Sequence, residues 1–149
     1  MFNNAFKDKT VLITGHTGFK GSWLALWLNN LGAKVIGLSD AIPSKPSNFD
    51  ESYIKNIAED NRVDIRNIEA VKKIVIKCQP DFVFHLAAQA LVIPSYANPL
   101  DTISINAIGT ANILEALRTL EKNVIAVMIT SDKAYDNLEW VWGYRETDQ

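Results

Sequence analysis

A single cysteine, Cys78, leaves no possibility of an internal disulfide, and a lone thiol in a helical pattern points to a reducing, cytoplasmic setting. Histidines are equally scarce: His16 and His85, with the cysteine far from either, make no ligand set of metal-site spacing, so no metal is expected. No basic cluster exists. The 15 Lys and Arg against 17 Asp and Glu leave a net charge of −2, which disfavours nucleic acid and anionic membranes as partners. No long apolar run is present either: the most apolar stretch, residues 82–93, is interrupted by His85 and Gln89 and is too short to span a bilayer. Nothing at the N-terminus has the form of a signal peptide, and repeats and low-complexity tracts are missing. At 149 residues, 48% hydrophobic and 21% charged, the chain has the length for one domain with a real core and not for two.

The sequence is organised around one stretch. Thr10-Val11-Leu12-Ile13, a short β-branched strand, runs into Thr14-Gly15-His16-Thr17-Gly18-Phe19-Lys20-Gly21 and then into an apolar helical run, residues 22–31. A strand that breaks into three glycines spaced by three and re-forms as a helix collects bare backbone N–H groups and a positive helix end at one point, which binds phosphate. Gly15 is expected to turn the chain off the strand, Gly18 to let a pyrophosphate approach the backbone, and Gly21 to let the helix pack close to the strand. No P-loop lysine follows, which disfavours nucleotide triphosphate chemistry. A second strand at 34–38 and an acid at Asp40, about twenty residues past the last glycine, complete the context of a dinucleotide site.

Strands and helices alternate along the rest of the chain. Gly32 is a left-handed helix end, the strand at 35–38 leads to Ser39-Asp40, and residues 41–58 read as a long loop with a short helical turn around 53–57. A short strand at 61–63 ends in Asp64-Ile65-Arg66; Asn67 then caps a helix with Ile68, Val71, Val75 and Cys78 on one face, stopped by Gln79-Pro80. The apolar strand at 82–86 ends in the small residues Ala87-Ala88-Gln89-Ala90, Asn98-Pro99 starts a long helix to about Lys122, and residues 124–130 form a fifth, buried strand. The tail, 134–149, carries Tyr135, Trp140, Trp142 and Tyr144 and fits neither period. The expected class is α/β, a doubly wound, Rossmann-like parallel sheet of strand order 3-2-1-4-5, with functional groups at the carboxyl ends of the strands.

The glycine loop together with Asp64-Ile65-Arg66, His85-Leu86-Ala87-Ala88-Gln89, Asn106-Ala107-Ile108-Gly109-Thr110 and Thr130-Ser131-Asp132-Lys133-Ala134-Tyr135 resembles the extended short-chain dehydrogenase/reductase superfamily and, within it, the nucleotide-sugar 4,6-dehydratases. The resemblance covers the chain from about Asp8 onward, and Ser131-Asp132-Lys133 is its most discriminating piece. It implies NAD as cofactor, with the amides of Thr17, Gly18, Phe19, Lys20 and Gly21 on the pyrophosphate beside Gly15, Asp64 and Ile65 on the adenine, Leu86, Ala87, Ala88 and Gln89 along the nicotinamide, and Asn106 supporting the site backbone. Ser39 stands where many relatives carry aspartate; either Ser39 or Asp40 can reach a ribose hydroxyl, and no arginine lies between Val35 and Tyr53 to welcome a 2′-phosphate, so NAD is expected over NADP. Pro94 departs from the basic residue often found there in relatives.

The implied reaction oxidises the sugar transiently at C4, removes water across C5 and C6, and reduces C6. Ser131 would bond the C4 oxygen, Asp132 would act as general acid to the C6 hydroxyl, and Lys133, where dTDP-sugar relatives have glutamate, would take the C5 proton. The family also needs a tyrosine and a lysine four residues apart. Four residues past Tyr53, Tyr96, Tyr135 and Tyr144 stand Ile57, Leu100, Glu139 and Asp148, so the pair is missing. Residues 1–149 are accordingly expected to be the NAD-binding domain, incomplete at its C-terminal end and without the substrate domain, inactive alone, with a nucleotide-sugar substrate, CDP-glucose in first place, and a homo-oligomeric state. A non-catalytic dinucleotide-binding or assembly module stands as the reading from another class; an epimerase is the nearest enzymatic rival, and Asp132, where epimerases usually carry a small residue, argues against it.

Overall fold

The computed structural model describes residues 2–149, with the side chain of Asp132 outside the described residues. The β-branched run that opens the chain forms β1 (Thr10–Thr14), nearly all of it buried. It pairs in parallel with β2 (Lys34–Ser39) on one side and β4 (Phe82–His85) on the other, so the chain's first strand becomes the centre of the sheet. β3 (Ala58–Arg62) lies outside β2 and β5 (Ile125–Met128) outside β4, giving, among the described residues, one five-stranded parallel sheet in the order β3-β2-β1-β4-β5. The order reverses between β1 and β2 on one side and β1 and β4 on the other, the arrangement that opens a ligand crevice beyond the carboxyl end of β1.

Two helix layers cover the sheet. On one face α1 (Phe19–Asn30) and α2 (Asn48–Glu51) bury Ala25, Leu28 and Phe49 with Val11, Ile13 and Val35. On the other, α3 (Ile68–Cys78) and α6 (Thr110–Arg118) bury Val71, Val75, Ile113 and Ala116 with Leu12, Ile36 and Val83. Each fully buried aliphatic side chain contributes about 1.5–3 kcal/mol through removal from water. The expected caps of α3 are present: Asn67 accepts from the Ala70 amide at 3.1 Å, and Gln79, at φ 45°, turns the chain out before Pro80. Gly32, at φ 85°, ends α1 as expected. Burial pushes the Cys78 thiol up to about 11, so it stays protonated.

Four expectations change. β3 begins at Ala58, three residues ahead of the expected strand, because a polar edge strand is held by main-chain pairing with β2 and shows no apolar pattern. The supposed loop at 41–58 contains α2, which Ser47 caps by accepting from the Asp50 amide at 3.1 Å. The long helix is divided into α5 (Pro99–Ile103), a π-helical segment Ser104–Gly109, and α6, which stops at Arg118; the side chain of Asn98 makes no cap, and α4 (Val92–Ala97) precedes it. Lastly, β5 is not buried: Ile125, Ala126 and Val127 are exposed, as the strand lies at the sheet edge. The polar lead-in also supplies core, since Phe6 packs on Phe82 and Phe84 with ring centroids 5.0 and 6.4 Å apart.

Candidate dinucleotide-binding site

The glycine loop leaves β1 with Gly15 at φ 75°. A Cβ there would stand 2.8 Å from the Ala87 nitrogen, so Gly15 is required both by its dihedral and by contact with the chain leaving β4. At Gly21 a Cβ would come within 2.1 Å of the Gly15 carbonyl oxygen: this glycine lets α1 seat on the loop itself. Gly18 differs from both. It is the N-cap of α1 at φ −72°, and a Cβ there would meet only the Gly15 oxygen, at 3.4 Å. Its missing side chain therefore leaves room on the outer side of the loop, a cradle that suits an approaching phosphate.

Of the five amides expected to hold that phosphate, two have acceptors among the described residues. Thr17 N donates to Ser39 Oγ at 3.4 Å and Gly18 N to the Gly15 carbonyl at 3.1 Å, while Ser22 N closes the first helical bond onto Gly18. The amides of Phe19, Lys20 and Gly21 are the first-turn donors that no helix can satisfy internally, and they sit at the positive end of α1. Three amides beside an open glycine fit a pyrophosphate. The residues present therefore fit the expected cofactor.

Next to the cradle, His16 is fully buried and takes a role that its sequence position did not reveal. Its Nδ1 lies 3.0 Å from Ser39 Oγ and its Nε2 3.0 Å from Asp60 Oδ1. With Thr17 N donating to Ser39 Oγ, one donor direction satisfies the whole set: Ser39 Oγ–H donates to Nδ1, and Nε2–H donates to Asp60. Burial holds the His16 pKa below its ordinary value, opposed in part by Asp60, in keeping with this neutral tautomer. The sequence did hold one signal: Gly37 interrupts β2, and a Cβ there would lie 2.2 Å from the His16 ring. Ser39, only 5% exposed, is committed to His16, whereas Asp40 is exposed at the same strand end, with Oδ1 accepting from the Ala41 amide at 2.7 Å. Of the two expected ribose partners, Asp40 is the one that solvent reaches.

On the far side of the crevice, Asp64 is engaged by Arg66: both oxygens accept from Nε, Oδ2 from Nη2 at 2.6 Å and Oδ1 from the Arg66 amide at 2.8 Å. These bonds hold the carboxyl below its usual range and fill its acceptor sites, so an adenine amino group would have to displace one of them. Arg66 also reaches Asp101. Ile65 is buried, with its side chain over Gly109, where a Cβ would come within 2.4 Å, and Asn112 Nδ2 donates to the carbonyls of Ile65 and Arg66 at 3.0 Å each.

The chain leaving β4 is held from two directions. The Thr14 hydroxyl accepts from the amides of Leu86 and Ala87 at 3.2 and 3.1 Å. Asn106, on the π-helical segment, brackets Gln89, accepting from its amide at 2.8 Å and donating to its carbonyl at 3.0 Å. Ala88 lies between, exposed, while the Gln89 carboxamide is used by Leu91 and Thr102. A π-helical turn inside a helix recurs where a side chain is re-aimed at a site. Beyond β5, Ser131 precedes a 3₁₀ turn, Asp132–Ala134, and Ser131 Oγ accepts from the Lys133 amide at 3.3 Å. The general-acid reading of Asp132 concerns a side chain outside the described residues. Among the described residues no group of three or more His, Cys, Asp or Glu could hold a metal ion, and no helix is long and apolar enough to cross a membrane.

The profile of the GDP-mannose 4,6 dehydratase family matches residues 12–148. The chain belongs to this family. Among its relatives, CDP-glucose 4,6-dehydratase of Salmonella typhimurium is 46% identical over 145 residues, which cover 97% of this chain and 40% of the relative's own length. The chain thus spans about two fifths of that relative. Of solved structures, the epimerase Mth375 of Methanothermobacter thermautotrophicus superposes with a TM-score of 0.81 at 28% identity, covering 97% of this chain and 42% of the other. The UDP-glucose 4-epimerase of Thermus thermophilus, solved in complex with NAD, gives 0.64 at 34% identity over 73% of this chain and 33% of its own.

Proposed function

We propose that this chain is the NAD-binding domain of a nucleotide-sugar 4,6-dehydratase that acts on CDP-glucose. The observation that carries the cofactor assignment is the cradle at Gly18, where three first-turn amides of α1 meet a surface left open by a missing Cβ. Identity of 46% to a CDP-glucose 4,6-dehydratase supports the substrate. When bound, the nicotinamide supplies reversible hydride acceptance, which makes the overall conversion redox-neutral.

The chain's own residues divide the remaining work. Phe19, Lys20 and Gly21 hold the pyrophosphate through their amides, with Gly15 and Thr17 shaping the loop. Asp40 takes the adenosine ribose, Ile65 lies against the adenine, and the backbone from Leu86 to Gln89, fixed by Thr14 and Asn106, carries the nicotinamide side. At the end of β5, Ser131 donates to the sugar's C4 oxygen, Lys133 removes the C5 proton, and Asp132 gives a proton to the departing C6 hydroxyl, so that water leaves as the C5–C6 double bond forms. No tyrosine in the sequence has a lysine four residues on, so removal of the C4 hydroxyl proton needs a group beyond these residues. The lone, half-buried Cys78 supports a reducing cytoplasmic setting.

Calorimetric titration of the purified chain should give binding of NAD and NADH in preference to the phosphorylated forms, and incubation with CDP-glucose and NAD should yield no 4-keto-6-deoxy sugar. Absence of dinucleotide binding would overturn the cofactor assignment; turnover that disappears in Asp132→Asn would overturn the account of the missing base.

A further inference from the structure

An arginine does stand at the ribose end of the site, brought there by a strand that the sequence order keeps distant. Arg62 closes β3, and its Cα partner across the ladder is Ser39, the last residue of β2, immediately before Asp40. Its side chain is committed elsewhere. Nε and Nη2 both donate to Asp60 Oδ2, at 3.1 and 2.8 Å, and the guanidinium lies over the Phe49 ring, 5.1 Å from its centroid. Asp60 and Arg62, two residues apart on one strand, share a face of the sheet, and it is the face on which His16 packs over Gly37, the Cα partner of Asp60. The carboxylate is thus divided: Oδ1 accepts from His16, which braces the glycine loop through Ser39, and Oδ2 holds Arg62.

We propose that Asp60 is a specificity-determining residue that keeps the site selective for dinucleotides with an unphosphorylated adenosine ribose by neutralising Arg62 and holding its fork against Phe49. A 2′-phosphate needs an unneutralised cation whose fork can face it. At this strand end the guanidinium has the charge and the fork for that task; Asp60 neutralises the charge and takes the Nε–Nη2 edge of the fork. Because His16 takes the other oxygen, the carboxylate cannot swing to follow Arg62 toward a ligand without abandoning a fully buried imidazole. The selectivity therefore lies in a pair of residues on β3 in addition to the acid at the end of β2.

The inference rests on the dinucleotide reading above, and the experiment separates the two. Affinities for NAD and NADP are measured by calorimetry on the full chain and on Asp60→Asn, Arg62→Ala and the double variant, with circular dichroism to verify the fold. Asparagine keeps an acceptor for His16 Nε2–H and removes the charge. Asp60→Asn should shift the ratio of the two affinities toward NADP by on the order of tenfold, the worth of one or two freed charge-assisted bonds, and adding Arg62→Ala should reverse the shift. Arg62→Ala alone should leave the ratio unchanged. An unaltered ratio in a folded Asp60→Asn, a gain that survives loss of Arg62, or a fall in NADP binding on Arg62→Ala alone would each overturn the role of Asp60 while leaving NAD binding intact. Should Asp60→Asn fail to fold, the Arg62→Ala arm decides alone. Failure of the unaltered chain to bind either dinucleotide would overturn the underlying reading and this one with it.

Discussion

The hydroxyl of Thr14 lies 2.7 Å from His85 Nδ1, and this contact joins the ends of two neighbouring strands. Since the hydroxyl accepts from the amides of Leu86 and Ala87, its proton goes to Nδ1, and His85 Nε2–H donates to Thr110 Oγ1 at 2.8 Å. Replacing Thr14 with valine keeps the shape and leaves the Ala87 amide and an imidazole nitrogen without their partner, while the Leu86 amide keeps the Thr14 carbonyl at 3.1 Å. The expected cost is about 1–3 kcal/mol, read as a lower denaturant midpoint with an unchanged slope. A change below half a kilocalorie would show that water replaces the hydroxyl.

Both histidines make the fold sensitive to mild acid. Burial holds His85 below the ordinary 6.5, and His16 likewise, with Asp60 opposing in part. The unfolded chain then binds protons that the folded chain refuses, so stability is full above about pH 6.5 and is lost as pH falls below it. The carboxylates of Glu59, Asp64 and Asp81, held low by hydrogen bonds from Lys77, Arg66 and Lys122, withdraw their contribution only in stronger acid, as pH falls through their folded values. Thermal midpoints should therefore decline between pH 7 and pH 5. A flat profile over that interval would contradict the burial of both imidazoles.

Two glycines of the loop are predicted to fail in different ways. Gly18→Val should fold, since φ there is −72° and the added Cβ meets one atom at 3.4 Å, yet lose NAD binding because the side chain fills the cradle. Gly21→Ala should lose the fold, as its Cβ would stand 2.1 Å from the Gly15 oxygen. Circular dichroism paired with calorimetric titration separates the two outcomes; a folded Gly18→Val with normal NAD affinity would remove the pyrophosphate from this loop.

The free edge of β5 is uncharged, and Ile125 and Val127 on it are 58% and 38% exposed. An apolar edge of this kind is a template for pairing with another chain. Sedimentation of the chain should show dimers or larger species that weaken on Ile125→Lys or Val127→Lys with the fold retained. A monomer at high concentration would refute self-association through this edge.

What the sequence made legible depended on how each element is stabilised. β1 and β2 are buried, β4 half-buried, and all three are written largely in Val, Ile, Leu and Phe, and α3 announces itself by its asparagine cap and its apolar stripe. β3, Ala-Glu-Asp-Asn-Arg, is held by main-chain pairing and carries no apolar alternation, so the sequence pattern does not mark its start. The π-helical turn at Ser104–Gly109 has no compositional mark, and the long helix looked continuous. In the site, the glycine spacing located the cradle, whereas the His16–Asp60 contact joins residues 44 apart, and the pairing that brings Arg62 beside Ser39 follows only from strand register.

The helical rod formed by the π-helical turn and α6 touches both ends of the crevice: Asn106 grips the chain at Gln89, and six residues on, Asn112 grips the carbonyls of Ile65 and Arg66. It acts as a spacer between the chain leaving β4 and the loop that follows β3, much as a gauge block sets the opening of a vice. One residue added or removed between these two asparagines would alter the reach of the crevice without changing any group assigned to touch the dinucleotide, and the length of ligand that fits is in that sense written in a stretch of helix behind the site.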